Sequence, residues 1–238
     1  MKRNRDITVQ GFGSGHVAVI AADNSGGIGS LPMDEVKVPY EVVAQYGARV
    51  CAMEVLAAGA LPVSFIIHSF NGEGAWNELV TGAQKTFAEL GLDTIEITGS
   101  SESNMNMVQS ASSFTMIGRA AHHDLKMGIT PSIAKVAVIG APLVGEEVIS
   151  RSKEGISLSL FRQLLKTDGI YEILPVGSKG IGYELGVLCG SSARFKSTLP
   201  LDKSAGPSTC VLISYDEKQH SAIRSLCGML FHELDPLF

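Results

Sequence analysis

The chain has 238 residues, of which 45% are hydrophobic and 18% charged, and its formal net charge is −5. This balance is typical of a globular protein with a substantial core and excludes a disordered chain. Because phosphate neutralisation needs clustered Lys and Arg, the mild acidity argues against a protein that binds nucleic acid.

Short apolar runs alternate with longer helical patterns in the first half of the chain. Runs rich in β-branched and aromatic residues predict strands. They span residues 6–12, 16–23, 62–70, 93–99 and 112–120. Two helices are predicted between them, over residues 39–60 and 74–91, because Pro39 suits a first helical position and Gly59 and Gly91 suit helix ends.

A second block of elements begins near Ile133, after the connecting segment 121–132. Apolar runs at 135–142 and 209–215 predict strands, and the spacing of apolar residues over 158–169 and 216–234 predicts helices. We therefore expect an α+β protein of two lobes. The N-terminal lobe, residues 1–121, combines a mixed sheet with flanking helices, and residues 132–238 form a compact C-terminal α/β lobe.

No apolar run of the sequence reaches membrane-spanning length, because Gly, Pro or charged residues interrupt every candidate. The N-terminus lacks the apolar core of a signal peptide. The four cysteines lie far apart and form no CxxC pair, which argues against structural zinc and against a disulfide framework. We therefore expect a cytoplasmic protein that does not associate with membranes.

An aspartate ends the second predicted strand, and small residues follow it in VAVIAADNSGGIGS, which begins at Val17. Asp, Asn, Ser and Gly are common in ordinary turns for backbone reasons alone. Successive small residues also turn their N–H groups inward to bind anions, and an adjacent carboxylate can hold Mg²⁺. The stretch is therefore either an ordinary turn or a metal–phosphate site. In the second case its members are Asp23, Asn24, Ser25, Gly26, Gly27 and Gly29.

Two more carboxylates suggest a site. Glu54 is the only Asp, Glu, Lys or Arg from Val50 to Gly72, and a carboxylate in so apolar a helix is costly to bury without a partner. It either faces solvent, pairs with Arg49 or belongs to a site. Glu102 follows a predicted strand, as Asp23 does. It lies among the small polar residues Gly99, Ser100, Ser101 and Asn104.

Two lysines are candidate phosphate ligands. Lys179 lies among glycines in VGSKGIG, where its ammonium could approach a phosphate as a flexible point charge. The alternative is a plain turn at a helix start. Lys37 is a second cation near the first loop, or else a solvated loop lysine.

Several nucleotide-binding and catalytic motifs are absent from the sequence. There is no GxxxxGK[ST], no GxSxG and no HExxH. In GFGSGH, His16 takes the place of the third glycine of a dinucleotide fingerprint, and the segment opens a strand rather than a helix.

The run ARVCAMEVLAAGALPV, from Ala48, resembles the signature of the aminoimidazole ribonucleotide synthase-like, or PurM-like, superfamily. Its members carry an acidic residue, a few small residues and then Gly-Ala-x-Pro leading into a strand. Glu54 takes the acidic place, and residues 59–62 the remainder. Asp23 is similar to the family's metal-binding aspartate, and Glu102 lies where the family usually has Gly-Gly-Asp. The early Gly-Asp-Asp motif is missing, as is a second-half D-x-T-G-G-G.

The resemblance implies a PurM-like two-lobe fold with an ATP-binding N-terminal lobe, the cofactors ATP and Mg²⁺, and a homodimer. Asp23, Glu54 and Glu102 would share the metal site, with Asp23 and Glu54 essential for catalysis. The Gly- and Ser-containing segments, with Lys37 and Lys179, would bind the nucleotide.

The segments TGSSESN and ILPVGSKGI are most similar to α-ribazole kinases. These phosphorylate the 5′-hydroxyl of α-ribazole in the salvage of the cobalamin lower ligand. The implied function is an ATP- and Mg²⁺-dependent kinase for a nucleoside-like alcohol. The alternatives are an ATP-dependent synthase that activates an amide oxygen, a thiamine-phosphate-kinase-like enzyme, and a non-catalytic nucleotide-binding protein.

Overall fold

The computed structural model describes residues 5–72, 74–92, 94–190 and 194–237. The chain divides into two compact units. The N-terminal unit is Asp6–Asp124, and the C-terminal unit is Leu125–Phe238 together with Arg5. The division falls inside the predicted connecting segment 121–132. Within the described ranges, no helix is both long and apolar enough to cross a membrane.

The N-terminal unit contains seven strands and two α-helices in its described part. They are β1 (Ile7–Gly11), β2 (His16–Gly26), β3 (Ile28–Gly29), β4 (Val36–Lys37), α1 (Tyr40–Ala57), β5 (Leu61–Ser69), α2 (Ala75–Leu90), β6 (Glu96–Ser101) and β7 (Ala111–Ala121). The five long strands and both helices of this half of the chain are confirmed. Asp93, the first residue of the fourth predicted strand, lies outside the described residues.

Five strands form one mixed sheet in the order β1-β2-β7-β5-β6. Strand β7 is antiparallel to both β2 and β5, and β5 is parallel to β6. Strands β2, β5 and β6 therefore run in one direction and end at one side of the sheet, which we call the carboxyl edge. Ligands of open α/β sheets commonly bind outside this edge.

The prediction that a loop begins directly after Asp23 is wrong. Strand β2 continues to Gly26, with Ser25 opposite Ser112 and Gly26 opposite Ala111 of β7. Asn and Gly have low strand propensity, but pairing with a neighbouring strand overrides a local preference. Asp23 thus lies inside the ladder, three residues before its end.

Helices α1 and α2 cover one face of the sheet, and glycines set how closely they pack. A Cβ at Gly47 would overlap the ring of Phe114, and a Cβ at Gly82 would overlap the carbonyl oxygen of Glu41. Under the helices, Phe114 and the neighbouring aromatic Phe65 are fully buried, with ring centroids 5.9 Å apart. This core fixes α1 against β7, which in turn places the candidate site.

The described part of the C-terminal unit has six strands and four α-helices. They are β8 (Lys135–Ile139), α3 (Glu147–Ser150), α4 (Leu158–Leu164), β9 (Ile170–Pro175), α5 (Gly180–Cys189), β10 (Phe195–Lys196), β11 (Val211–Tyr215), α6 (His220–Cys227), β12 (Phe231–Glu233) and β13 (Asp235–Pro236). Four of them form an antiparallel sheet in the order β12-β8-β11-β9.

The prediction of one helix over 216–234 is wrong. Helix α6 ends at Cys227, because Gly228 takes a left-handed backbone conformation with φ 54°, which stops a helix at low steric cost. After a short 3₁₀ turn, the chain forms β12 and pairs with β8. The helical spacing of apolar residues in the sequence thus extends into residues 231–233, which form an edge strand.

The carboxylate of Glu172 ties together two distant segments of the C-terminal unit. It accepts hydrogen bonds from the backbone N–H groups of Gly128, Ile129 and Thr130 at 2.8–2.9 Å. It also forms a salt bridge of 3.1 Å with the buried guanidinium of Arg5. Arg5 directly precedes the N-terminal unit and residues 128–130 follow it, so Glu172 anchors the chain on both sides of that unit.

Candidate functional site

Asp23 lies on the face of the sheet that the helices cover. It is paired with Phe114 across the β2–β7 ladder and lies two residues from the buried Ala21, so the alternation of strand residues puts it on the same face. Burial raises the pKa of Asp23 to about 6, and a hydrogen bond from the backbone N–H of Asn24 partly offsets this. Asp23 is therefore ionised at neutral pH but protonates in mild acid.

Glu54 lies on the face of α1 that is turned toward the sheet. It follows Cys51 by three residues, so the two share one side of the helix. The Cys51 thiol is 3.6 Å from the carbonyl oxygen of Phe114, the residue opposite Asp23. Glu54 is only 7% exposed, and the alternative that it faces solvent is therefore wrong.

The Cys51 thiol of α1 is influenced by both Asp23 and Glu54. Burial raises the pKa of Cys51 most, and the carboxylate of Asp23 raises it further, as does that of Glu54. Both carboxylates therefore act on the Cys51 sulfur through the Coulomb interaction, Asp23 more strongly than Glu54. We call Asp23 and Glu54 the carboxylate pair.

The donor set of the carboxylate pair fits Mg²⁺. This ion is bound in proteins by one or two carboxylates, while water and substrate phosphates complete its shell. Among the described residues, no group of three or more His, Cys, Asp or Glu side chains is placed to hold a metal ion. With the carboxylate pair alone, a metal ion would take its remaining oxygen ligands from water and from a bound phosphate.

Glu102 lies just past the end of β6 and is engaged in its own turn. Its backbone N–H donates to the carbonyl oxygen of Ser69 at 2.8 Å, and its Oε1 accepts the N–H of Asn104 at 2.6 Å. Gly99 is held in the same strand by close packing, since a Cβ there would overlap the carbonyl oxygen of Ile67. Glu102, Gly99 and Asn104 thus lie at the carboxyl edge, two strands beyond β7.

Four serines form a row across the sheet at the carboxyl edge. The ladder pairs Ser25 with Ser112, Ser112 with Ser69, and Ser69 with Ser101. The side-chain amide of Asn71 donates to Ser112 Oγ at 2.7 Å. The Ser101 hydroxyl is buried and has no hydrogen-bond partner among the described residues. In this serine row, Ser25 follows Asp23 by two residues on the same face, and Ser69 and Ser112 are buried.

Sequence reasoning missed Ser69, Asn71 and Ser112 as members of this edge. Each lies next to an apolar run, and nothing local distinguishes it from a strand-end residue. The signal was in the register, because a serine recurs at the same level of four neighbouring strands.

The residues after β2 form a small two-stranded parallel sheet. Ile28 and Gly29 of β3 pair in parallel with Val36 and Lys37 of β4. The N–H of Gly27 donates to the carbonyl oxygen of Ser110 at 2.8 Å. The N–H of Gly27 is therefore not directed at a phosphate, which corrects the expectation that the N–H groups of this segment bind an anion.

The two candidate lysines have local partners. The ammonium of Lys37 donates to the carbonyl oxygens of Leu31 and Pro32 in its own loop, the second at 3.0 Å. Lys179 lies in the C-terminal unit, in the turn that precedes α5, and its ammonium is 4.3 Å from the centroid of the Tyr183 ring. The turn at the helix start is thus present, and Lys179 makes a cation–π contact there.

Asp34 is a buried carboxylate that sequence reasoning overlooked. It accepts hydrogen bonds from the N–H of Leu31 at 2.8 Å and from the N–H and hydroxyl of Ser110, both at 2.6 Å. Burial opposes its ionisation, but the hydrogen bonds from Ser110 and Leu31 and the charge of Lys37 outweigh this, so the pKa of Asp34 lies below its ordinary value. The only local signal was an aspartate two residues after Pro32.

Neither a protein-family model nor a curated protein matches this sequence. Solved structures do match, over nearly the whole chain. The crystal structure of tt0281 from Thermus thermophilus superposes with a TM-score of 0.65 at 14% identity, over 98% of this chain and 86% of that one. Thiamine monophosphate kinase from Aquifex aeolicus gives a TM-score of 0.63 at 12% identity, over 97% and 88%.

A third similar structure is T. maritima PurL complexed with ADP, with a TM-score of 0.61 at 10% identity. It covers 99% of this chain but 42% of that one. A further match is AaThiL complexed with AMPPCP and TMP, with a TM-score of 0.61 at 11% identity, over 98% and 84%. At such identities the likeness concerns architecture. The chain therefore has the PurM-like α+β fold, which it shares with this thiamine monophosphate kinase and with part of PurL.

Proposed function

We propose that the protein is an ATP- and Mg²⁺-dependent kinase for a small nucleoside-like alcohol. The observation that carries the proposal is the carboxylate pair, in which Asp23 lies on the helix-covered face of β2 and the buried Glu54 lies on α1, the helix that packs on this strand. The fold supports it, because proteins of this architecture have been solved with ADP or AMPPCP.

In this proposal, Asp23 and Glu54 hold Mg²⁺. When bound there, Mg²⁺ would supply positive charge against the phosphates and against the charge that spreads over the transferring phosphoryl group. Asp23 can act as a ligand above pH 6, where it is ionised. Burial under α1 limits water around both carboxylates, which strengthens their attraction for a cation.

The remaining nucleotide contacts are assigned to the carboxyl edge. Ser25 and Ser101 offer hydroxyls, and Ser100 and Asn104 are exposed on the adjoining strand and turn. The backbone of residues 24–29 apart from the N–H of Gly27, the side chain of Glu102 as a further metal ligand, and the ammonium group of Lys37 complete the proposed set.

For the acceptor, we propose the 5′-hydroxyl of α-ribazole. The likeness of TGSSESN and ILPVGSKGI to α-ribazole kinases supports this choice. The hydroxyl oxygen attacks the γ-phosphorus, the bond to the ADP oxygen breaks, and the hydroxyl proton is released. We further propose a homodimer, as the resemblance implies, and a cytoplasmic location.

Thiamine phosphate is a second candidate acceptor. The fold likeness to thiamine monophosphate kinase favours it, and it would share the carboxylate pair and the nucleotide contacts. The two acceptors differ in charge, so a kinase for one discriminates against the other by contacts outside the carboxylate pair.

Calorimetric titration with AMPPCP and Mg²⁺ tests the nucleotide site. We expect binding that requires Mg²⁺ and is lost in Glu54→Gln, while Glu96→Gln, an exposed strand position in the same unit, binds as the parent does. If the parent does not bind Mg·AMPPCP, every ATP-dependent function proposed for this fold is refuted. The alternative that remains is a protein with this fold and without the activity.

Mass spectrometry then tests the acceptor. The protein is incubated with Mg·ATP and, separately, with α-ribazole, thiamine phosphate or aminoimidazole precursors. A phosphate adduct on α-ribazole is expected. Removal of one metal ligand in Glu54→Gln should slow turnover at least about a hundredfold, since metal stabilisation of developing charge is worth several kcal/mol. Product with an amide precursor instead would identify a synthase.

A further inference from the structure

Asp34 is buried in an otherwise exposed loop. Its exposed fraction is 7%, while that of the preceding residue Met33 is 64%, and Glu35 is also exposed. Both oxygens of its carboxylate accept hydrogen bonds, from Leu31 in the loop and from Ser110 directly before β7. A buried carboxylate is costly unless it is satisfied, so the sequence keeps an acid here for these bonds.

Ser110 extends this contact to the start of α1. Its hydroxyl lies 2.9 Å from the hydroxyl of Tyr40, the first residue of that helix. Tyr40 is buried, and its N–H donates to the side chain of Glu78 on α2 at 3.1 Å. Asp34, Ser110 and Tyr40 therefore form one buried polar chain, which we call the latch.

The glycine-containing segment after β2 rests directly on the latch. A Cβ at Gly29 would lie 2.7 Å from Cε1 of the Tyr40 ring and would overlap the hydroxyl of Ser110. The N–H of Gly27 donates to the carbonyl oxygen of Ser110. Met33 also joins the loop to the segment before β7, since its N–H donates to the carbonyl oxygen of Val108 at 2.9 Å. Only a backbone without side chains fits this close to Ser110 and Tyr40.

We propose that Asp34 is a positioning residue for the nucleotide: through Ser110 and Tyr40 it fixes the backbone of residues 26–29 beside Asp23 before the nucleotide binds. The inference rests on the proposed function, because it assigns the same site a residue that touches neither nucleotide nor metal. A segment that is ordered in advance loses less conformational entropy on binding, which strengthens affinity. The latch should thus affect nucleotide affinity more than turnover.

The test compares Asp34→Asn with Glu35→Gln, its exposed neighbour in the same loop. Asparagine keeps the shape of Asp34 but directs an N–H₂ group at donors that need an acceptor. We expect the Kd for Mg·AMPPCP and the KM for ATP to rise at least tenfold in Asp34→Asn, with kcat and the KM for the acceptor within about twofold. Amide hydrogen exchange in residues 26–29 should become faster. Glu35→Gln should match the parent in all of these measurements.

A purely structural role for Asp34 would give a different result. It would lower the unfolding midpoint and the amount of active protein, and the KM for ATP would stay at the parental value; that result would overturn the proposal. If Asp34→Asn does not fold, Ser110→Ala decides, because it removes the hydroxyl that joins Asp34 to Tyr40. A parental Kd in folded Ser110→Ala would also overturn it.

The two proposals fail in distinguishable ways. If the parent protein does not bind Mg·AMPPCP, the proposed function and the positioning role fall together. If the parent binds and folded Asp34→Asn binds equally well, the latch proposal alone is refuted.

Discussion

Replacing Asp23 by asparagine should stabilise the protein at neutral pH while abolishing its activity. Burial raises the pKa of Asp23 from 3.8 to about 6, so keeping it ionised in the native state opposes folding. At 1.36 kcal/mol per pH unit, this interval corresponds to about 3 kcal/mol. Because Asp23 is partly exposed, solvent screening reduces the value, and we expect about 1–3 kcal/mol.

The sign of the effect follows from proton binding by Asp23. Above pH 6 it is ionised in both the native and the unfolded chain, and the native state bears the full cost of a buried charge. Between pH 6 and 3.8 the native state takes up a proton that the unfolded state does not yet hold, so the relative stability rises as pH falls. Asparagine has no charge at any pH. The advantage of Asp23→Asn should therefore be full at about pH 7.5 and vanish near pH 4.

The single tryptophan provides the assay. Trp76 lies on α2, in the same unit as Asp23, so its fluorescence follows unfolding of that unit in urea. Titrations from about pH 4 to 8, without nucleotide and with a chelator, give the free energy of unfolding at each pH. Glu96→Gln removes an exposed carboxylate from the same sheet and serves as control. An Asp23→Asn protein that is less stable than the parent near neutral pH, or whose advantage is equal in acid and at neutral pH, would refute the reasoning.

The remaining predictions concern the anchors of each unit. Glu172→Gln leaves the buried guanidinium of Arg5 without its carboxylate, and we expect a loss of about 3–5 kcal/mol in the C-terminal unit, with faster amide exchange at residues 128–130; unchanged exchange there would contradict the anchoring role. Gly82→Ala should destabilise the N-terminal unit by about 1–3 kcal/mol through overpacking of α1 on α2. Gly74→Ala, where a Cβ would meet no atom within 4 Å, should lack this cost in the same fluorescence assay.

The long elements of the N-terminal unit were predictable because their signals are local. Pro39 and Gly91 flank α1 and α2, and the apolar runs specify the strands. The last residues of β2 were not predictable, since Asn24 and Ser25 are held in the ladder by β7, which lies far later in the sequence. The same holds for β12, whose partner β8 determines its conformation.

Two candidate residues of the site could be chosen from residue type alone. A lone acid in an apolar helix made Glu54 a candidate, and an acid near small residues made Asp23 one. The packing of α1, which carries Glu54, on β2, which carries Asp23, is a tertiary fact that the sequence left open. Asp34 escaped notice because an aspartate in a loop with proline has an ordinary explanation in turn geometry, and its burial depends on Ser110.

The bonds that Glu172 makes to Arg5 and to residues 128–130 have a consequence for how the chain folds during synthesis. Arg5 and Glu172 are separated by 167 positions, and all of Asp6–Asp124 lies between them. The N-terminal unit is complete in sequence long before Glu172 leaves the ribosome, whereas the other unit must wait for it. Closing a flexible loop of this length costs about 4–5 kcal/mol of chain entropy. Once residues 6–124 have folded, the flexible part of this loop is shorter. Early folding of the N-terminal unit should therefore speed the folding of the C-terminal unit.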